Sequence, residues 1–249
     1  MIHRIITAGI SFLLLTTSLA VQASETGTVL ITGANRGIGL ELARQYADDG
    51  WSVIGTARRP DGADDLRELD VRIVQLDVTD QASVDRMADE LSGVAIDVLI
   101  NNAGILPDSE SIDDLDIDTY SQVLNVNTIG PVRVTQALMP NLRAGGMKKI
   151  LNTTSGLGSI ASNRGGGYFG YRESKAALNM FTVTLARELA ADGFTCIVMN
   201  PGWVRTDMGG PNATTSVQDS ASGIRNVLGK VTPKDTGTFW NFQGGTEAW

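Results

Sequence analysis

Hydrophobic residues fall into two kinds of run along this chain. Short blocks rich in Val, Ile, Leu and Thr occupy 28–32, 52–57, 72–76, 94–101, 149–154 and 194–200, and each predicts a buried strand. Between them apolar residues recur every three or four positions, as Ile38, Leu42 and Tyr46 do in a helix predicted over 37–49. Further helices are predicted over 64–69, 81–92 and 171–191, and over 118–142 with an interruption near Asn127. A last strand is expected at 239–242. Residues 211–227 read as apolar walls or a lid, together with Ile105, Leu106, Trp203 and Met208. Strands alternating with helices imply right-handed crossovers and a parallel sheet. No repeat or linker divides 24–249, so the expected fold is α/β: one doubly wound parallel sheet of about seven strands, with helices on both faces. Ligands of such sheets bind beyond the carboxyl ends of the strands, which says where to look for chemistry.

The first residues break the pattern. His3 and Arg4 precede an uncharged stretch to Ser24, apolar at 10–15, with the small residues Val21 and Ala23 before a cleavage point. This order reads as an export signal over 1–23, giving a periplasmic or secreted protein. About 20 uncharged residues would also just span a bilayer, so a membrane-anchored or cytoplasmic protein is the competing reading.

Composition narrows the chemistry. Hydrophobic residues are 42% and charged residues 19%, enough for a sizeable core. A net charge of −8 argues against a nucleic-acid partner. One cysteine, Cys196, and one histidine, His3, exclude an intrachain disulfide and a Cys/His metal centre. What remains is oxygen and nitrogen chemistry, or an organic cofactor.

The first strand ends in Thr32-Gly33-Ala34-Asn35-Arg36-Gly37-Ile38-Gly39, where a helix begins. Glycines at such a junction let a pyrophosphate approach the free N–H groups of the helix N-terminus. The second strand ends in Arg58-Arg59, where a site for NAD would carry an acidic residue for the ribose. Arg58 and Arg36 suit a 2′-phosphate, so NADP(H) is favoured over NAD(H). Asp77-Val78, Asn101-Asn102-Ala103-Gly104 and Pro201-Gly202 close other strands on the same edge.

The fifth strand leads to Ser155, and a glycine-rich loop then reaches Tyr171-Arg172-Glu173-Ser174-Lys175. Tyr171 and Lys175 share a helix face, four residues apart. A tyrosine titrates near about 10, and a neighbouring ammonium lowers that value. Such a pair is an acid/base device beside a carbonyl. Tyr168 is the rival, but its partner at the same spacing is Arg172, which does not titrate.

Taken in order and spacing, the glycine turn, Asn101 to Gly104, Asn127, Ser155, Tyr171 with Lys175, and Pro201-Gly202 resemble the short-chain dehydrogenase/reductase family. The stretches 156–160, 171–179 and 201–210 and the ending 244–249 resemble its sniffer and C-factor-like carbonyl reductases. The resemblance implies reduction of an aldehyde, ketone or quinone by NADPH, with Tyr171 as proton donor, Ser155 on the carbonyl oxygen and Lys175 on the nicotinamide ribose. It implies a water held by Asn127, adenine against Asp77 and Val78, and the carboxamide against Val204 and Thr206. Gly33, Asn35, Arg36, Gly37, Ile38, Gly39, Asn101, Ala103, Gly104, Pro201 and Gly202 complete the cofactor contacts it implies. Dimers or tetramers through the long helices are a further implication, and a dinucleotide-binding signalling protein is the alternative function.

Overall fold

A computed structural model describes residues 26–107 and 111–249. The export signal read over 1–23 lies outside the described residues. The strands are β1 (Thr28–Ile31), β2 (Ser52–Ala57), β3 (Arg72–Gln75), β4 (Val98–Asn101), β5 (Lys149–Thr153), β6 (Thr195–Asn200) and β7 (Phe239–Asn241). All pair in parallel, in the order β3-β2-β1-β4-β5-β6-β7. From β1 the chain builds outward to β3, then crosses back to place β4 on the other side of β1. The crevice at that reversal is where such sheets hold ligands.

Side-chain alternation along the strands makes the two faces. Val29 and Ile31 of β1 join one apolar cluster, and Leu30 between them joins the other. On the first face lie α1 (Gly37–Asp48) and α8 (Val217–Lys230), packed through Leu42, Ala43, Ala221 and Ile224. On the second lie α3 (Gln81–Glu90), α5 (Gly130–Ala137), α6 (Met139–Ala144) and α7 (Tyr171–Glu188). The short helix α2 (Asp64–Arg67) lies between β2 and β3, and α4 (Ile117–Leu124) leads into α5.

Three elements differ from the sequence expectation. The strand expected at 94 begins only at Val98, because Val94 closes a turn on Leu91 and the Asp97 carboxylate accepts the N–H groups of Thr28, Gly146 and Met147. The interruption near Asn127 is a π-helical turn, Asn125–Ile129, rather than a break. Pro131 has no N–H, so the regular bond back to the Asn127 carbonyl cannot form. Residues 217–227 of the expected wall or lid belong to α8 instead. Ser216 caps this helix by accepting from the Asp219 N–H at 3.0 Å, and Ser220, Ala221, Ile224, Val227 and Leu228 are its buried stripe.

A core helix and a lid differ in stability. Ile224 is fully buried. Ile224→Ala is therefore expected to cost about 2–5 kcal/mol in denaturant unfolding. A loss below about 0.5 kcal/mol, the range of surface changes, would return α8 to the lid.

Candidate active site

The β1–α1 turn is built for close approach. A Cβ on Gly39 would stand 2.3 Å from the Gly33 carbonyl oxygen and 2.6 Å from Asn102 Nδ2, so no side chain fits there. Asn102 Nδ2 donates to the carbonyls of Thr32 and Gly33, at 3.0 and 3.2 Å. Thr32 Oγ1 in turn accepts the N–H groups of Asn102 and Ala103. The turn is thus clamped by Asn102 and Thr32, two polar residues absent from the cofactor contacts expected above. The N-cap residue of α1, Arg36, makes no side-chain cap, and no acidic residue stands in the first turn. The N-terminal N–H groups and the helix dipole there are left without a side-chain cap or a first-turn carboxylate.

Beside this turn opens a cleft of about 740 Å³. It brings together Gly33, Asn35, Arg36, Arg58, Asp77, Val78, Ala103 and Gly104, as the sequence expected, and adds Thr56, Thr79 and Gln122. Partial burial would raise the Asp77 carboxyl, but two hydrogen bonds from Thr79 and the nearby Arg58 guanidinium hold it below the usual range. Arg36 reaches across to Asp207 at 3.1 Å. Thr206 stands against the glycine turn, since a Cβ on Gly37 would meet its Cγ2 at 3.3 Å. The loop after β6 therefore lies against the glycine turn.

Several expected residues take other places. Asn101 turns its side chain inward, donating to Asn152 Oδ1 at 2.8 Å and Thr135 Oγ1 at 3.1 Å. Ile38 packs on the core, and Val204 is buried in a bridge to Thr215. Pro201 accepts from Ser220 Oγ, and the Gly202 N–H donates to Asn200 Oδ1. Asn200 also donates to Glu247 Oε1 at 2.8 Å, which ties the C-terminal segment to this loop. Neither Asn200 nor Glu247 carries a local sequence signal for that role. Trp203 and Met208 are exposed beside the cleft loop, and Tyr168 is 47% exposed.

Ser155, Tyr171 and Lys175 come together at the ends of β5 and α7. Tyr171 is 8% exposed, Ser155 stands beside its hydroxyl, and the Lys175 Nζ lies 5.6 Å from its ring centre. Lys175 is 4% exposed and donates to the Thr153 carbonyl at 2.8 Å. An ammonium carries three donors, and Thr153 is the single hydrogen-bond partner of this one among the described residues. A Cβ on Gly104 would lie 3.6 Å from the Lys175 Nζ and 3.3 Å from Asn127 Oδ1, so the ammonium stands just behind the cleft wall. Asn127 is locked there: it exchanges hydrogen bonds with the Ile105 backbone at 2.8 and 2.9 Å and donates to Ser174 Oγ at 3.1 Å.

Burial decides both titrations. It pushes Tyr171 above its ordinary value, and the Ser155 hydrogen bond pulls it partway back. It brings Lys175 down to about 8. The sequence led us to expect a tyrosine lowered by its ammonium neighbour; here burial raises it instead, and the phenol keeps its proton.

A doubly wound sheet with a glycine turn, a cleft beside it and a Ser–Tyr–Lys cluster behind the Gly104 wall of that cleft defines an α/β oxidoreductase scaffold. The chain belongs to the short chain dehydrogenase family, whose model matches residues 27–216. It is 41% identical over 154 residues to the C-signal of Myxococcus xanthus, covering 62% of this chain and 93% of that protein. Among solved structures it is similar to the carbonyl reductase Sniffer of D. melanogaster, with a TM-score of 0.85, 32% identity and 90% and 100% of the two chains covered. An NADPH-bound carbonyl reductase from chicken fatty liver gives 0.84 and 34%, covering 91% of this chain and all of the other.

Proposed function

We propose that the protein is an NADPH-dependent reductase of an aldehyde, ketone or quinone. The observation that carries this reading is the buried Tyr171, with the half-buried Ser155 beside it, next to a lysine whose ammonium is separated from the cleft only by Gly104. The site fits the cofactor: unused N–H groups at the α1 N-terminus face the pyrophosphate end, and Arg36 and Arg58 face the 2′-phosphate end. When bound, NADPH supplies the hydride. Tyr171 gives its proton to the carbonyl oxygen as charge develops there, and Ser155 hydrogen-bonds the same oxygen. Lys175 offers its remaining donors to the ribose hydroxyls. Asn127 holds the water linking Lys175 to solvent through a carbonyl, because both of its side-chain amide hydrogens are engaged. The NADPH-bound state of the similar carbonyl reductase from chicken fatty liver supports this cofactor.

Turnover of a carbonyl panel, measured beside NADPH binding, tests the reading. Binding without turnover would instead favour a signalling role, to which the 41% identity with C-signal gives weight. The pH dependence follows from Lys175, brought down to about 8. Below that value the ammonium is charged and holds the ribose; above it the charge is lost. Accordingly, kcat/KM for NADPH should fall as pH rises past about 8, and Lys175→Met should lack that limb. A limb retained in Lys175→Met would assign the titration to another group. For the leader, we propose export, which N-terminal sequencing of the mature protein checks.

A further inference from the structure

Arg172 follows Tyr171 in α7, and its guanidinium turns back toward the loop before the helix. Its Nε donates to the Gly167 carbonyl at 3.0 Å, one Nη to Gly166 at 3.1 Å and the other to Leu157 at 3.3 Å. The guanidinium carbon lies 5.7 Å from the Tyr168 ring centre, and the Arg172 N–H donates to the Tyr168 carbonyl at 3.0 Å. One planar donor fork thus joins two separate loop segments. The glycine-rich segment needs such a hold. Gly166, Gly167 and Tyr168 have φ of 65°, 67° and 56°, three left-handed residues in succession, the last of them not a glycine.

The other end of the fork bears on chemistry. The Leu157 carbonyl accepts from Arg172, and the Leu157 N–H donates to Ser155 Oγ at 3.1 Å. A serine hydroxyl has one hydrogen and two acceptor positions. With Leu157 held on one acceptor position, the hydroxyl is kept beside Tyr171, whose titration it influences. We infer that Arg172 is a positioning residue for Ser155, acting through Leu157 to aim the serine hydroxyl at Tyr171 and the substrate oxygen. The inference rests on the catalytic reading of Ser155 and deepens it.

A double-mutant cycle tests it, with kcat and the KM for NADPH measured on the folded full-length domain. Arg172→Met should lower kcat by about ten- to a hundredfold, as misplacement of a catalytic group does, with KM for NADPH unchanged. In the Ser155→Ala background the same change should lower kcat no further, because no hydroxyl remains to be aimed. Arg172→Lys, which keeps the charge but lacks the fork, should lie between and serves if the Met variant does not fold. Equal losses with and without Ser155, or full kcat in both Arg172 variants, would overturn the inference alone. An unchanged kcat in Ser155→Ala would instead overturn the catalytic reading beneath it.

Discussion

Tyr171→Phe should reduce carbonyl turnover by about a hundred- to ten-thousandfold, the span for loss of a positioned general acid, while NADPH affinity stays close to the parent value. The ring survives in this variant, and only the hydroxyl shared with Ser155 is removed. That hydroxyl is the one buried phenol beside Lys175. Tyr168→Phe is the control. Tyr168 is half-exposed, and its ring lies against the Arg172 guanidinium rather than an acid/base group. Turnover near the parent level is expected of it. Rates would be read as single turnovers of preformed complexes, so that binding and chemistry separate. If the large loss appears in the Tyr168 variant, the proton donor has been misassigned.

Arg58→Ala should weaken NADPH binding by about tenfold and leave NADH binding unchanged. A hydrogen bond to a charged group contributes about 1.5–3 kcal/mol, and the exposure of Arg58 places it at the lower end. NADH lacks the 2′-phosphate and so has nothing to lose. The difference should shrink as salt is raised, since both partners face solvent. Calorimetric titration of the two cofactors against both proteins checks this. Equal weakening of NADPH and NADH would mean that Arg58 acts on the shared part of the dinucleotide.

The strands were legible because parallel strands buried on both faces read as continuous aliphatic runs. α8 was not, because its stripe of Ile224, Val227 and Leu228 begins with the small Ser220 and Ala221, and Gly223 and Gly229 interrupt the helical composition. Small residues pack well against α1 but give little periodic signal. Asn127 was legible as an interruption, yet its π turn depends on Pro131 and on bonds to Ile105, 22 residues away. The Tyr171–Lys175 pair could be read because it is local to one helix. The Thr153 carbonyl on Lys175 and the wall at Gly104 appear only when β4, β5 and α7 are assembled. At the Asn101-Asn102 step, strand alternation decides the roles: Asn101 faces the interior and Asn102 clamps the glycine turn. The sequence treats the two alike. Arg172 could be dismissed as an acid or base from its chemistry alone, but its three carbonyl partners belong to loop geometry that local patterns do not encode.

The most direct measurement is a crystal structure of the protein with NADP⁺. The account predicts adenosine 2′-phosphate between Arg36 and Arg58, pyrophosphate on the α1 N-terminus, and ribose hydroxyls on Lys175, with the Tyr171 oxygen open to the nicotinamide side. A dinucleotide bound elsewhere, or a Tyr171 oxygen walled off from the nicotinamide, would contradict it.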